Sequence, residues 1–330
     1  MSAHFKGLTR RQTLAVAGGG LLSAGLGLRP ALAADVSIRQ GYQTNMWGMP
    51  TYYLLRSGLL QKHGIKFEEF AVPSGNLTMQ QMVARQVDMG TYAGPSFIIG
   101  HQKGGLVAVA KIEYVGQTAR VMARKDLGLK TIADLRGKKV ANHSGSSIGN
   151  IFTDQIAAKA GLHKGDFTEV KMNVQDMVAA LAAKTVDAMV NVEPYNAIAE
   201  DEGLANLLES FASFDHLPVF MAATPEFLEK NSDAIVPYLK AWLEVEQDFK
   251  KNHDKVVDVI YSFYQSKGYK MSKSTFAKAL SHVEVGVGWP DDLDPYMQHH
   301  AEVLLKAHKI KGIPDWKKAF RKEFLKKAMA

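Results

Sequence analysis

Short apolar runs alternate with amphipathic stretches along the first two thirds of the chain. Val36–Tyr42, Ile65–Val72, Val87–Tyr92 and Leu106–Ile112 read as strands. Pro50–His63, Asn76–Gln86 and Pro95–Lys103 read as the helices between them, with proline in a first turn or glycine just beyond the end. A second set follows the same rhythm: strands Lys138–Asn142, Glu169–Met172 and Val186–Asn191, helices Ile132–Leu135, Ile148–Ala160, Val174–Ala183 and Pro194–Asp201. Two short strands are predicted within Tyr114–Arg124, and from Thr224 onward the pattern is almost wholly helical. Strands separated by helices of this length point to βαβ units. The pattern therefore predicts an α/β protein with two successive sets of strands in mostly parallel sheets flanked by helices, and a helical C-terminal extension. The strand-like chain near Tyr114–Arg124 reads as a hinge of crossing strands.

Composition narrows the function. The 330 residues hold no cysteine, which removes disulfide frameworks, thiolate metal sites, cysteine catalysis and a lipoprotein anchor. The net charge is +7, but it is concentrated at the ends. Residues 1–34 carry Lys6, Arg10, Arg11 and Arg29 and no acid, and residues 306–330 carry nine Lys/Arg against Asp315 and Glu323, so the body between is net acidic. A nucleic-acid binder spreads its basic residues over a face; none is expected here. The basic C-terminal segment reads as a solvated helix with Trp316, Phe320 and Phe324, at i, i+4 and i+8, turned to the core.

The N-terminus reads as an export address. Arg10-Arg11 precedes an apolar run from Leu14 to Leu28, and Ala31-Leu32-Ala33 offers a peptidase site. The adjacent arginines resemble a twin-arginine signal, although Thr13 stands where a large apolar residue is usual, so Sec export stays open. Removal of residues 1–34 would leave a soluble periplasmic protein.

Three segments carry a family resemblance. Thr131-Ile132-Ala133-Asp134-Leu135-Arg136-Gly137-Lys138-Lys139-Val140, the Val87-Asp88-Met89-Gly90 stretch, and Val186-Asp187-Ala188 followed by Val192-Glu193-Pro194-Tyr195 are similar to segments of type II periplasmic binding proteins. The group they resemble serves ABC importers of nitrate, sulfonates, taurine or a thiamine pyrimidine precursor. The resemblance covers residues 35–330. It implies lobe 1 from 35–117 and 218–330, lobe 2 from 118–217, and a two-segment hinge. It further implies a small-molecule ligand in the interlobe cleft, a transient inner-membrane permease partner, a monomer, no cofactor and no catalysis.

In open α/β sheets ligands lie beyond the carboxyl ends of strands, where loops enter helix N-termini. Four loops fit. The first holds Asn45, an amide donor and acceptor, and Trp47, which either stacks on a ligand or packs inward. The second holds Ser74, Gly75 and Asn76; the glycine permits close backbone approach, and the polar pair can also cap a helix. The third holds Tyr92, as suited to the core as to stacking. The fourth, Ser144, Gly145, Ser146 and Ser147, has the makings of an anion nest. Glu193 either accepts from a ligand amine or stabilises a helix dipole, Tyr195 follows it, and Arg120 in the hinge either meets an acidic ligand or lies exposed.

One enzymatic reading competes. Gly145-Ser146-Ser147-Ile148-Gly149 matches G-x-S-x-G between a strand and a helix, with Asp215 and His216, or Asp294 and His299, in the order of a serine hydrolase. The preceding strand is short and weakly apolar, and no HGGG-type oxyanion segment occurs. His299 and His300 are adjacent, about 100° apart on a helix, unlike the i, i+4 pair of a zinc helix.

Overall fold

The structure, a computed structural model, describes residues 36–330; the expected export signal lies outside the described residues. The strands are β1 (Val36–Gln43), β2 (Ile65–Val72), β3 (Met89–Ala93), β4 (Val107–Tyr114), β5 (Ala119–Arg124), β6 (Lys139–Asn142), β7 (Thr168–Lys171), β8 (Ala188–Val192), β9 (Ala205–Ser210), β10 (Pro218–Ala223) and β11 (Glu284–Gly288). They form a six-stranded sheet ordered β11-β4-β10-β3-β1-β2 and a five-stranded sheet ordered β7-β6-β8-β5-β9.

Both sheets are mixed rather than mostly parallel. β1 pairs in parallel with β2 and β3, and β6 with β7 and β8. β10 runs antiparallel between β3 and β4, and β5 antiparallel between β8 and β9. The cause is topological. β5 and β10 are entered directly from the other sheet, without the helical crossover that a parallel neighbour requires. The two passages lie against each other: the Val115 and Gly116 N–H groups donate to the His216 carbonyl at 3.2 and 2.9 Å.

Helices cover the sheet faces. Ser74, Ser146, Thr224 and Ser272 each accept a backbone N–H at a helix start, the usual way of satisfying a first-turn donor. One apolar cluster runs through both sheets, from Ile38 and Tyr53 to Val140, Met189 and Trp242. A second packs Phe97, Phe220 and Phe320 between the first sheet and the helices Gly94–Gly104 and Leu293–Lys306.

The structure departs from the sequence pattern at identifiable points. The predicted helix 50–63 is two helices, Met49–Arg56 and Leu59–Lys62, because Gly58 adopts φ +80° between them. Within Tyr114–Arg124 there is one new strand, β5; the rest is the end of β4 and a 3-10 turn at Gly116–Thr118. β9, β10 and β11 were not expected, and β11 interrupts the helical C-terminal third as an edge strand on β4. Ile148–Ala160 begins as the helix Ser147–Ile151 and widens into a π-helical segment, Phe152–Ala157. The basic C-terminal helix is broken: Trp316–Ala319 and Lys322–Met329 flank an extended Phe320, which bridges to Ala108. Phe320 and Phe324 are buried as expected, while Trp316 is half-buried.

Candidate ligand cleft

Loops at the carboxyl ends of parallel strands from both sheets meet around one cavity. Asn45 and Trp47 follow β1, Ser74, Gly75 and Asn76 follow β2, and Ala93 and Ser96 close β3; these face His143, Ser146, Ser147 and Ile148 after β6, Val174 after β7 and Val192 at the end of β8. The interior is about 30 Å³. A single water needs about 10–15 Å³ by this measure, so the space admits only a compact polar group.

The polar side chains are held by hydrogen bonds within and between these loops. Asn45 Oδ1 accepts the Trp47 N–H at 3.0 Å, and its Nδ2 reaches the Pro73 carbonyl at 3.4 Å. The Trp47 indole N–H donates to Thr118 Oγ1 at 2.5 Å, tying the first loop to the hinge. Ser74 Oγ accepts from Leu77 N, and Ser146 Oγ accepts from Gly149 N while donating to the His143 carbonyl at 2.7 Å. Ser96 and Ser147 meet across the cavity, with their oxygens 3.0 Å apart and the Ser96 N–H donating to Ser147 Oγ at 3.3 Å. Gly75 is required by space: a Cβ there would lie 2.8 Å from both Gln43 Oε1 and Tyr92 Cβ.

No lining residue is acidic, lysine or arginine. The one titratable group is His143, whose imidazole is pushed below its ordinary range by burial and by Lys171. It is therefore neutral near pH 7. Three helices, Gly75–Val83, Gly94–Gly104 and the one starting at Ser147, begin at the cavity wall. The helix dipoles, together with the first-turn N–H groups that no cap or serine takes, favour an anion.

Asn45, Trp47, Ser74, Gly75, Asn76, Ser146 and Ser147 thus come together; the other expected residues do not line this cavity. Tyr92 is fully buried in the second apolar cluster. Ser144 turns away and donates to Glu169 Oε1 at 2.7 Å, and Gly145, at φ +84°, lies on a neighbouring groove. Glu193 is buried on the hinge side, where its Oε2 accepts the Ala197 N–H at 3.0 Å and its Oε1 lies 3.3 Å from Arg120 Nη1. Arg120 also approaches Glu200 and His282; neither it nor Glu193 lines the cavity. Tyr195 is buried with its hydroxyl 3.4 Å from that of Tyr269.

Ser96, His143 and Thr118 were not singled out. Ser96 follows Pro95 in the first turn of the helix Gly94–Gly104, two residues inside its start, whereas Ser74 is an N-cap. His143 stands inside the Asn142–Ser147 loop. Only the fold brings Thr118 beneath Trp47.

The hydrolase geometry does not form. Ser147 bonds to Ser96, Asp215 to His300, Tyr296 and Leu217 N, and Asp294 to Lys322. His299 is exposed while His300 is buried, as adjacent residues on one helix must diverge.

Comparison with known proteins places this geometry in context. A family profile described as NMT1/THI5 like matches residues 45–280. A putative binding protein from Brucella abortus (strain 2308) is 30% identical over 241 residues, covering 71% of this chain and 73% of that protein. A putative aliphatic sulfonates-binding protein from Escherichia coli (strain K12) is 26% identical, with 72% and 74% covered. A putative ABC transporter periplasmic binding protein from Brachyspira hyodysenteriae is 23% identical, with 72% and 71% covered. Among solved structures, the alkanesulfonate-binding protein SsuA from Xanthomonas axonopodis pv. citri, bound to MOPS, has the same fold, with a TM-score of 0.77 at 18% identity over 87% of this chain and 98% of that one.

Proposed function

The chain belongs to the NMT1/THI5-like family, and on that premise we propose that it is the periplasmic solute receptor of an ABC-type importer, specific for a small oxyanion-headed organic solute of the alkanesulfonate class. Residues 35–117 and 218–330 form one lobe and 118–217 the other. Asn45, Trp47, Ser74, Gly75, Asn76 and Ser96 act from the first lobe, and His143, Ser146 and Ser147 from the second. Solute contact with both lobes favours closure, because only a ligand that binds the closed form better shifts the equilibrium. The closed receptor then meets its permease, and no covalent step is involved.

One observation carries the ligand chemistry: three helix N-termini, hydroxyls and amides face a cavity whose lining holds no carboxylate. An anion is compensated there without a fixed cation, whereas an amine finds no acceptor of matching charge. Glu193, the residue that would have favoured an amine, is engaged with Arg120. This argues for a plain sulfonate over an aminosulfonate.

A thermal-shift panel on protein starting at Ala34, refolded to strip bound solute, tests this. Ethanesulfonate, benzenesulfonate, taurine, nitrate and a neutral sulfonamide are compared. At about 1,000 times its dissociation constant a ligand adds about 4 kcal/mol, an increase of several degrees at about 2–4 °C per kcal/mol. The proposal expects sulfonates to raise the melt without being consumed, and the sulfonamide not to. A melt raised only by neutral or cationic compounds, or hydrolysis of ester substrates that Ser147→Ala abolishes, would overturn it.

A further inference from the structure

We propose that a groove distinct from the cleft is a second ligand site, built for an aromatic monocarboxylate. It lies between residues 144–169 and the segment following the helix Leu293–Lys306, has a volume of about 620 Å³, and shares no lining residue with the cleft. That volume falls within the range of small-molecule sites, about 300–1,000 Å³.

The polar groups of the groove are unequally spent. Lys309 Nζ reaches across to donate to Asn150 Oδ1 at 2.8 Å and to Asp154 Oδ2 at 3.1 Å. Asp154 Oδ1 accepts from Thr153, and Glu169 Oε1 accepts from both Asn142 Nδ2 and Ser144 Oγ. The carboxylates are therefore already supplied with donors. Asn150 is 5% exposed, its carbonyl oxygen is taken by Lys309, and its Nδ2 has no partner. A buried donor without an acceptor is disfavoured, and an acceptor atom entering the groove relieves it. Among the described residues Lys164 and Glu169, both on the groove wall, form no ion pair and offset each other, so the unpartnered Asn150 donor is what selects an acceptor group.

The rest of the groove suits a flat apolar body. Leu162 is buried, and Phe167 packs on Phe152 with ring centroids 5.6 Å apart. The wall bearing Thr153 and Asp154 is the π-helical segment Phe152–Ala157, a distortion that recurs at functional sites. A carboxylate accepting from Asn150 Nδ2, with its ring over Leu162 and Phe167, satisfies all three features. A bound molecule touches both the 144–169 region and Lys309.

The probe is 1-naphthoate, titrated by calorimetry into the protein starting at Ala34, with 1-naphthylmethylamine as the cationic control. One naphthoate per chain is expected, with no binding of the amine. Ala307→Trp, at an exposed position that fills the groove, and Asn150→Leu, which removes the donor, should each weaken binding by about tenfold or more; Ser74→Ala in the cleft should leave it unchanged. Circular dichroism and the melt check folding, and if Asn150→Leu fails that check Ala307→Trp decides. Absence of binding at about 10 mM, equal binding of the amine, or affinity unaltered by Ala307→Trp would overturn the proposal. Such a failure leaves the cleft reading untouched, since that is read with sulfonates and cleft residues.

Discussion

Asp215 anchors the second passage between the sheets, and its removal should cost the protein much of its stability. The carboxylate is buried and accepts three hydrogen bonds: from His300 Nε2 at 2.8 Å, from the Tyr296 hydroxyl at 2.6 Å and from the Leu217 N–H at 2.7 Å. Tyr296 and His300 stand one turn apart on the helix Leu293–Lys306, so this residue straps the chain just before β10 to the C-terminal helices. Asp215→Ala leaves three donors without an acceptor. A hydrogen bond to a charged group contributes about 1.5–3 kcal/mol, and water entering the small void recovers part of the loss. A buried donor left without an acceptor costs about 1–3 kcal/mol, so three of them, partly recovered by water, set the expected destabilisation at about 3–5 kcal/mol. Asp215→Asn keeps the shape and one carbonyl oxygen, so its loss should be about half as large. Urea unfolding followed by far-ultraviolet circular dichroism, with the m-value unchanged, measures both. At about 2–4 °C per kcal/mol, Asp215→Ala should also melt about 6–20 °C lower. A loss below about 1 kcal/mol would refute the reasoning.

Other consequences can be checked alongside. His143 is held below its ordinary range, so the unfolded chain takes up a proton more readily; its contribution to stability is present above about pH 6.5 and declines as pH falls toward the folded value. An anion in the cavity stabilises the imidazolium, so solute binding should take up protons and tighten between about pH 7 and 5.5, read by calorimetry in buffers of different ionisation heat; no uptake would count against His143 facing the solute. Trp47→Phe removes the indole bond to Thr118 and should cost about 1 kcal/mol in urea unfolding as well as weakening solute binding. Gly75→Ala drives a Cβ to 2.8 Å from Gln43 and Tyr92 and should destabilise by about 1–3 kcal/mol, more than Ser74→Ala, which loses only a cap.

Much of the architecture was legible because the hydrophobic period changes cleanly between strand and helix, and because Gly and Pro mark the junctions. What escaped the reading was decided by tertiary contact. β9 and β11 carry exposed positions such as Leu207 and Glu284, and as edge strands they lack the continuous apolar run of a central strand. Phe320 kept its buried place while its helix broke, since the bridge to Ala108 fixes it in extended chain. In the cleft, the loops that enter helices were readable from Ser, Asn and Gly next to strand ends. Direction was not: Ser144 and Ser146 stand two residues apart in one loop, yet one caps toward the cavity and the other bonds Glu169. Glu193 and Arg120 looked like ligand groups individually, and only the structure reveals that they face each other.

The account rests on closure of two lobes around a solute. The chain has no cysteine, so two introduced ones label uniquely: Gln80→Cys beside the first-sheet cleft wall and Lys171→Cys at the end of β7, both exposed. The distance distribution between spin labels at these positions, recorded with and without the sulfonate that most raises the melt, tests it most directly. A shorter and narrower distribution on binding is predicted. A distribution unmoved by a saturating sulfonate would contradict hinge closure and place the binding outside the cleft.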